Sequence, residues 1–377
     1  MCHIFNTVLS KYQFLRTKTA DRRSVSVHWI LDTSVAFIGL HQATTLCPTK
    51  KYCSNNYPTA MTNQTYLVFS ATGRQGRAVI NALVSKGETS IVATSRNPES
   101  TSSQALLKID GVTKVIKADY NAPDSVYAAI KESQATRVWF TTDFWSIPWL
   151  SRTRETETKL GSCVIDAIVK ANQADECQTI EHVVYSSVGD ADNAPKEVGH
   201  FWGKAGVEKY MASQFDTDDC TTTWSVIRPV AFFENLDDAA NFNPLTKGTL
   251  KFLTYPDKKS KFIACEDIGK GSAVLLTDPK EYAGKIIEAA GAEHTALELT
   301  AALSDVSGTV CNYAMAMPRF VLWLLMGDLF HMITWMEADG YSASIEEFKK
   351  LVPDAQDAQA FFESKGQWAN GEKFVSS

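Results

Sequence analysis

Between Ser70 and Gly76 the chain reads Ser-Ala-Thr-Gly-Arg-Gln-Gly, and a turn of this composition can hold a phosphate. Four apolar residues, Tyr66 to Phe69, precede it as a buried strand, and Arg77 to Val84 follow as a helix stopped by Gly87. Glycines let the backbone approach an anion, and a helix N-terminus offers it free N–H groups and a positive dipole end. Thr72, Gly73, Arg74, Gln75 and Gly76 would wrap a pyrophosphate; the plainer alternative for a G-x-x-G is a tight turn. Ser70 stands where a fuller glycine turn carries Gly, and a positive φ there would cost a serine stability.

Further along, Ser95-Arg96 ends a second short strand. An acidic residue at that place would bind a ribose 2′-OH and select NAD; a guanidinium pairs with a 2′-phosphate and favours NADP. A solvated surface arginine is the other reading. Asp119, just past a third strand, can accept from an adenine amino group or cap the helix that follows. Thr141-Thr142-Asp143-Phe144-Trp145 ends a fourth strand, where an open sheet faces its ligand crevice; its aromatics would stack on a cofactor ring or serve the core.

A reductase that delivers a hydride to a carbonyl needs a proton donor, which a Tyr four residues before a Lys on one helix face supplies. Here the pair is His200 and Lys204. Histidine can donate a proton with different chemistry; the simpler expectation for His200 is a surface residue at a helix start. Finally, Arg228-Pro229-Val230-Ala231-Phe232-Phe233-Glu234-Asn235 ends a sixth strand. That segment would line a nicotinamide pocket with Asn235 as an amide anchor, or form an ordinary strand-to-loop junction.

The elements that must position these residues alternate. Strands are expected at 66–69, 91–95, 112–117, 137–142, 182–187 and 224–228, with helices between them, including one opened by Asn121-Ala122-Pro123-Asp124, one over 156–171 with Leu160, Cys163, Val164, Ala167 and Ile168 on one face, and one over 206–211. Strands apolar on both faces and alternating with helices predict an α/β fold, a Rossmann-type doubly wound parallel sheet. After Asn235 the alternation weakens. Asn241, Asn243, Pro244, Gly248 and Asp257-Lys258-Lys259 suggest loops, 266–276 a helix, and Thr295 with Glu298 has capping-box spacing. The expected organisation is a leader over 1–62, a dinucleotide-binding domain over 63–235, and a smaller, mainly C-terminal α+β region over 236–377, with a last sheet strand near 285–290. The chain beyond Glu298 should be helical, aromatic and apolar as far as Trp335.

Composition narrows the classes. With 45% hydrophobic and 21% charged residues, the 377-residue chain has enough apolar matter for a large core. A net charge of −6 gives no basic field for direct binding to nucleic acid. The eight cysteines include no C-x-x-C and no metal-ligand spacing, so reduced thiols and no metal site are expected. The most apolar run, Phe320 to Met326, is interrupted beyond by Asp328 and His331, too short for a membrane span and better suited to a buried helix or pocket wall. Residues 1–60 hold seven basic and two acidic residues, a net +5 against −11 for the remainder. That is the composition of an organelle transit peptide; equally, Met61 stands just before the first strand, and the leader would then be dispensable. Either way it is expected to be poorly ordered, with a cytoplasmic location, or an organelle if the leader directs transit.

Ser-Ala-Thr-Gly-Arg-Gln-Gly, Ser-Arg-Asn-Pro, Thr-Asp-Phe-Trp, Trp-Gly-Lys and Phe-Phe-Glu-Asn, in this order and spacing, resemble the NmrA-like family, an atypical branch of the short-chain dehydrogenase/reductase superfamily. The resemblance covers about residues 64 to 310. It implies a Rossmann domain that binds NADP(H), with a cleft against a smaller C-terminal domain. By motif it implies phosphate contacts at Ala71 to Gln75, the 2′-phosphate at Arg96, adenine at Asp119, and further cofactor contacts at Thr142, Phe144, Lys159, Lys204 and Phe232 to Asn235. Two departures stand out: Ser70 for the usual first Gly, and Asp143 where Asn is common, an unfavourable charge beside a polyanion unless it points to solvent.

Members of that family are either regulators that sense the NADPH/NADP balance and hold a partner protein, or reductases of quinones and small carbonyls. The sensors typically lack the active-site Tyr, as this chain does. The resemblance therefore implies an NADP(H)-binding redox-sensing or regulatory protein with weak or no reductase activity. The alternative is an NADPH-dependent oxidoreductase of a quinone or small carbonyl, protonating through Lys204, His200 or water, with Phe320, Trp323, Phe330 and Trp335 lining its substrate cleft.

Overall fold

The computed structural model describes residues 64–174, 177–237 and 248–365. The leader, Asn241, Asn243 and Pro244, on which expectations were placed above, lie outside the described residues. Those described fall within one compact unit, Met61–Ser377.

A seven-stranded sheet is the frame. Its strands are β1 (Tyr66–Val68), β2 (Ile91–Ser95), β3 (Val112–Lys117), β4 (Arg137–Thr141), β5 (His182–Ser186), β6 (Thr223–Pro229) and, far along the chain, Ile286–Ala289. Their spatial order is Ile286–Ala289, β6, β5, β4, β1, β2, β3, and every pairing is parallel. The chain steps outward from β1 in one direction, returns, and steps outward in the other. Between β1 and β4 this leaves the crevice typical of doubly wound sheets.

Alternation along the strands fills two layers. Tyr66, Val68, Ile91, Ala93, Trp139, Val184 and Ile227 face one; Leu67, Val92, Val138, Phe140, Val183, Tyr185 and Val226 face the other. Successive side chains of a strand point to opposite faces, so strands covered on both sides read as unbroken apolar runs. The first layer is covered by α1 (Arg74–Ser85), through Val79, Ile80 and Leu83. The second is covered by α2 (Pro123–Ser133), α3 (Arg154–Asn172) and α4 (Gly199–Phe215), through Val126, Ile130, Val164, Ile168, Val207 and Met211.

Several boundaries differ from the sequence expectation. Helix α1 begins at Arg74, three residues before the apolar run, because Gly73 caps it in extended conformation. Helix α4 runs from Gly199, a full turn and more before the expected 206, and carries His200 in its first turn.

Beyond β6 the chain adds β7 (Ala231–Phe232), β8 (Thr249–Phe252), β9 (Lys259–Ile263), α5 (Cys265–Thr277), β10 (the sheet strand Ile286–Ala289), β11 (Ala292–Thr295), α6 (Ala296–Ser307), β12 (Asn312–Met315), α7 (Arg319–Leu325) and α8 (Gly327–Ala338). β11, β9 and β7 form a small sheet and β12 pairs with β8, so the C-terminal part is not helical throughout. A third core gathers Phe233, Leu250, Phe252, Phe262, Leu299, Leu303, Phe361 and Phe362. Helix α5 returns to the main sheet, where Ile268, Leu275 and Leu276 share the first layer with α1. Thr295 and Glu298 form the expected capping box at α6.

The expectation for Phe320 to Met326 is corrected. Leu322 is buried, but Phe320, Trp323 and Leu324 are 71%, 60% and 59% exposed. A seven-residue helix can press only one side inward, and α7 presses Leu322. No helix among the described residues is long and apolar enough to cross a membrane.

Candidate functional site

The turn after β1 is held from several sides. Ser70 takes φ 51°, the left-handed region, so the serine does sit where glycine is easiest. Its carbonyl accepts from the Gly73 N–H at 2.9 Å, closing the turn. A Cβ on Gly76 would lie 2.5 Å from that carbonyl oxygen, so only glycine lets α1 start so close beneath the turn. Gly73 offers no side-chain cap, and the first turn of α1 has no acidic residue. The first N–H groups of a 12-residue helix thus face outward with the dipole unopposed, the electrostatics a pyrophosphate needs.

The neighbouring strand ends converge here. Ser186, ending β5, donates to Gln75 Oε1 at 2.6 Å. Arg74 donates to the Glu234 carbonyl at 3.3 Å. Arg96 is exposed just past β2. The Ser95 hydroxyl beside it accepts from Ser103 at 2.8 Å and from the Asn97 N–H at 3.1 Å, shaping that loop. Asp119 does not cap α2, whose N-cap is Ala122; its Oδ1 instead accepts from Asn121 N–H and Nδ2 at 2.9 and 3.1 Å. Asp143 points outward and caps a short 3-10 turn, accepting from the Trp145 and Ser146 N–H groups, which removes the conflict of a buried charge beside a polyanion.

Two expectations for the β6 end need correction. Phe233 is fully buried and stacks between Phe262 and Phe361 at 5.2 and 5.1 Å; its side chain belongs to the third core. The Glu234 carboxylate is spent on the N-terminus of α5, accepting the Cys265 N–H at 2.9 and 3.1 Å. That charge, after burial itself, pushes the Cys265 thiol well above its ordinary range. Phe232 and Asn235 keep half-exposed side chains, the Phe232 ring resting against the first core layer.

Histidine 200 is not a surface residue. It is 7% exposed because α8 lies over the start of α4, and Asp328 of α8 pairs with its Nδ1 and accepts its backbone N–H at 3.3 Å. The ring packs among Phe144, Trp145 and Phe201 at 5.7, 5.3 and 4.8 Å. Arg152 lies over Trp145 at 5.4 Å and holds the loop by donating to the Trp145 and Ile147 carbonyls. No described residue hydrogen-bonds His200 Nε2.

One turn further along α4, Lys204 donates to the Thr142 carbonyl at 2.6 Å and Oγ1 at 3.1 Å, and faces Glu157 Oε1 at 3.2 Å. Lys159 is elsewhere. It lines an outer groove of about 540 Å³ between α3 and α4, with Arg154, Thr158, Trp202 and Tyr210. The structure therefore gathers Ser70 to Gly76, Thr142, Phe144, His200 and Lys204 around the ends of β1 and β4, and separates Lys159 from them.

Sequence reading missed three residues here. Asp328 could not be found, since nothing local links it to His200. Tyr185, fully buried on β5, bonds Thr142 Oγ1 at 2.9 Å. Glu157 carried a signal: it occupies the apolar stripe of α3 with Gly161, Val164 and Ile168, and a carboxylate at the head of such a stripe needs a partner.

An uncapped helix behind a left-handed turn, at the crevice of a parallel sheet, defines a dinucleotide-binding Rossmann-type protein. The chain belongs to the NmrA-like family, whose model matches residues 62–360. It is 28% identical over 277 residues to the NmrA-like family domain-containing oxidoreductase cpsB of Aspergillus campestris, covering 69% of this chain and 76% of that one. To the oxidoreductase notA' of Aspergillus versicolor it is 27% identical, and there the match spans 65% of the relative's length and 60% of this chain. Among solved structures, the triphenylmethane reductase of Citrobacter sp., complexed with NADP(H), aligns at TM-score 0.61 and 16% identity over 80% of this chain and all of that one. The negative transcriptional regulator NmrA, complexed with NAD, aligns at 0.60 and 16% over 83% and 99%. These two share the fold.

Proposed function

We propose that this chain is an NADP(H)-dependent oxidoreductase that reduces a quinone or small carbonyl compound. The observation that carries this reading is the His200–Asp328 pair. The helix position from which a Tyr would donate a proton holds an imidazole, buried, ion-paired through Nδ1, and set against Phe144 and Trp145 at the end of β4. A carboxylate on Nδ1 holds that nitrogen's proton and fixes the ring's orientation, leaving Nε2 as the atom through which a proton passes to a developing oxyanion. The relatives' description as oxidoreductases supports the same reading.

The residues present fit the cofactor. The α1 N-terminus would take the pyrophosphate and Arg96 the 2′-phosphate, favouring NADP(H) over NAD(H). Asp119, Thr142, Phe144, Lys204 and the Phe232 and Asn235 side chains would border the remainder. When bound, the cofactor supplies the hydride. The chain's own part is to hold it, to screen the reacting face with Phe144 and Trp145, and to bring the proton through His200.

A second reading, a redox sensor or regulator that binds the cofactor without spending it, is favoured by Lys204, whose ammonium is hydrogen-bonded to Thr142 and ion-paired with Glu157. The test is NADPH oxidation by the full chain with a panel of quinones and aldehydes. Sustained turnover that falls on His200→Phe supports the oxidoreductase. Saturable NADPH binding with no acceptor consumed across the panel overturns it in favour of the sensor.

A further inference from the structure

We infer that Glu157 is the positioning residue for Lys204, fixing the charge and aim of its ammonium at the end of β4. The inference rests on the reading that Lys204 borders the cofactor site. Glu157 is fully buried and stands in the first turn of α3, across from α4. Its Oε1 accepts from Thr142 Oγ1 at 2.8 Å and faces Lys204 Nζ at 3.2 Å. A threonine hydroxyl has one proton. Since Thr142 gives it to Glu157, the hydroxyl must accept from both Lys204 and Tyr185. The sense of the chain is thus fixed: Tyr185 and Lys204 donate to Thr142 and Thr142 to Glu157, with Lys204 ion-paired to the same carboxylate.

Space is made for this carboxylate. A Cβ on Gly203, the residue before Lys204, would collide with Glu157 Oε2 and come within 3.1 Å of its Cβ. Oε2 is itself buried with no hydrogen-bond partner. A carboxylate kept with one oxygen unsatisfied, in a slot that requires a glycine opposite, is costly for stability alone. Its return is a charged lysine at one address. Lys204 is hydrogen-bonded twice to Thr142, and the ion pair with Glu157 is the anchor that keeps its ammonium in reach of a bound ribose.

The groups facing Lys204 are few. Glu157 comes from α3 and Tyr185 from β5, with the Lys204 amine 5.9 Å from the Tyr185 ring. Burial first, and the Glu157 charge next, hold that phenol far above its ordinary range, so it stays neutral. Glu208, one turn along α4, is occupied by Arg228.

The experiment reads Lys204 directly. Full-length protein is pulsed with acetic anhydride across a pH series, acylation at Lys204 and at exposed Lys159 is quantified by mass spectrometry, and NADPH affinity is titrated in parallel. Glu157→Gln keeps the shape and removes the charge; it should move the Lys204 profile down by about one unit or more and weaken NADPH binding about tenfold. Gly203→Ala, which displaces the carboxylate without neutralising it, should shift the profile the same way. Folded variants with an unmoved Lys204 profile overturn the inference. If Glu157→Gln does not fold, Gly203→Ala carries the test, and an unmoved Lys204 profile there overturns the inference. Failure of the wild type to bind NADPH would instead defeat the cofactor reading, and the acylation profiles would still decide the role of Glu157.

Discussion

His200 and Asp328, 128 positions apart in sequence, meet at the start of α4, where the carboxylate takes the imidazole Nδ1 and the backbone N–H of the same residue. The contact joins the C-terminal helix α8 to the sheet's crevice. It makes the setting of His200 depend on a segment that local motifs do not reveal.

Asp328→Asn should therefore act on chemistry more than on cofactor binding. The ring loses the carboxylate that holds its Nδ1 proton and its orientation, and turnover should fall about a hundredfold. NADPH affinity should stay within about twofold. Steady-state kinetics alongside a binding titration check this; an equal loss in both would place Asp328 in cofactor binding instead.

Ser70→Gly should stabilise the protein. At φ 51° the serine Cβ crowds its own backbone, a cost of about 1 kcal/mol that glycine avoids, partly offset by glycine's freer unfolded chain. Urea unfolding should show a higher midpoint with an unchanged slope. A lower midpoint would mean that the Ser70 side chain contributes more than its backbone costs.

Arg96→Ala should lower NADPH affinity by roughly tenfold or more and leave NADH almost untouched, because only one of the two carries the 2′-phosphate. Paired titrations measure the ratio, and an unchanged ratio would remove the arginine from cofactor selection.

His182, buried on β5, is held neutral between Thr223 Oγ1 at 2.8 Å and Ser225 Oγ at 3.0 Å. Burial, with the Arg137 charge adding to it, pushes its pKa down to about 3. A depressed folded value means the stabilisation is complete above the unfolded value near 6.5 and is lost as pH falls toward 3. Between pH 7 and pH 5 the wild type should lose about 2 kcal/mol more than His182→Gln. Denaturant titrations at the two pH values test it; parallel losses would contradict it.

The frame was legible in the sequence because buried parallel strands leave a physical trace: apolar runs such as Ile91 to Ala93 and Val183 to Tyr185, each bounded by turn residues and followed by a helix. The glycine turn was legible for the same reason, its chemistry being local. What could not be read was tertiary. Phe233 belongs to a motif beside the site, yet its ring is claimed by Phe262 and Phe361. Glu234 is claimed by the N-terminus of α5. His200 looks like a helix-start surface residue until α8 covers it. Glu157 was readable in principle, as a carboxylate in an apolar stripe, but its partner Lys204 is fixed only by the packing of α4 on α3.

The most direct measurement is a fluorescence titration of the full chain with NADPH and with NADH, repeated on Gly76→Ala. The account predicts one saturable site that prefers NADPH and is lost when a methyl group is forced against the Ser70 carbonyl. A wild-type chain that binds neither nucleotide would contradict it.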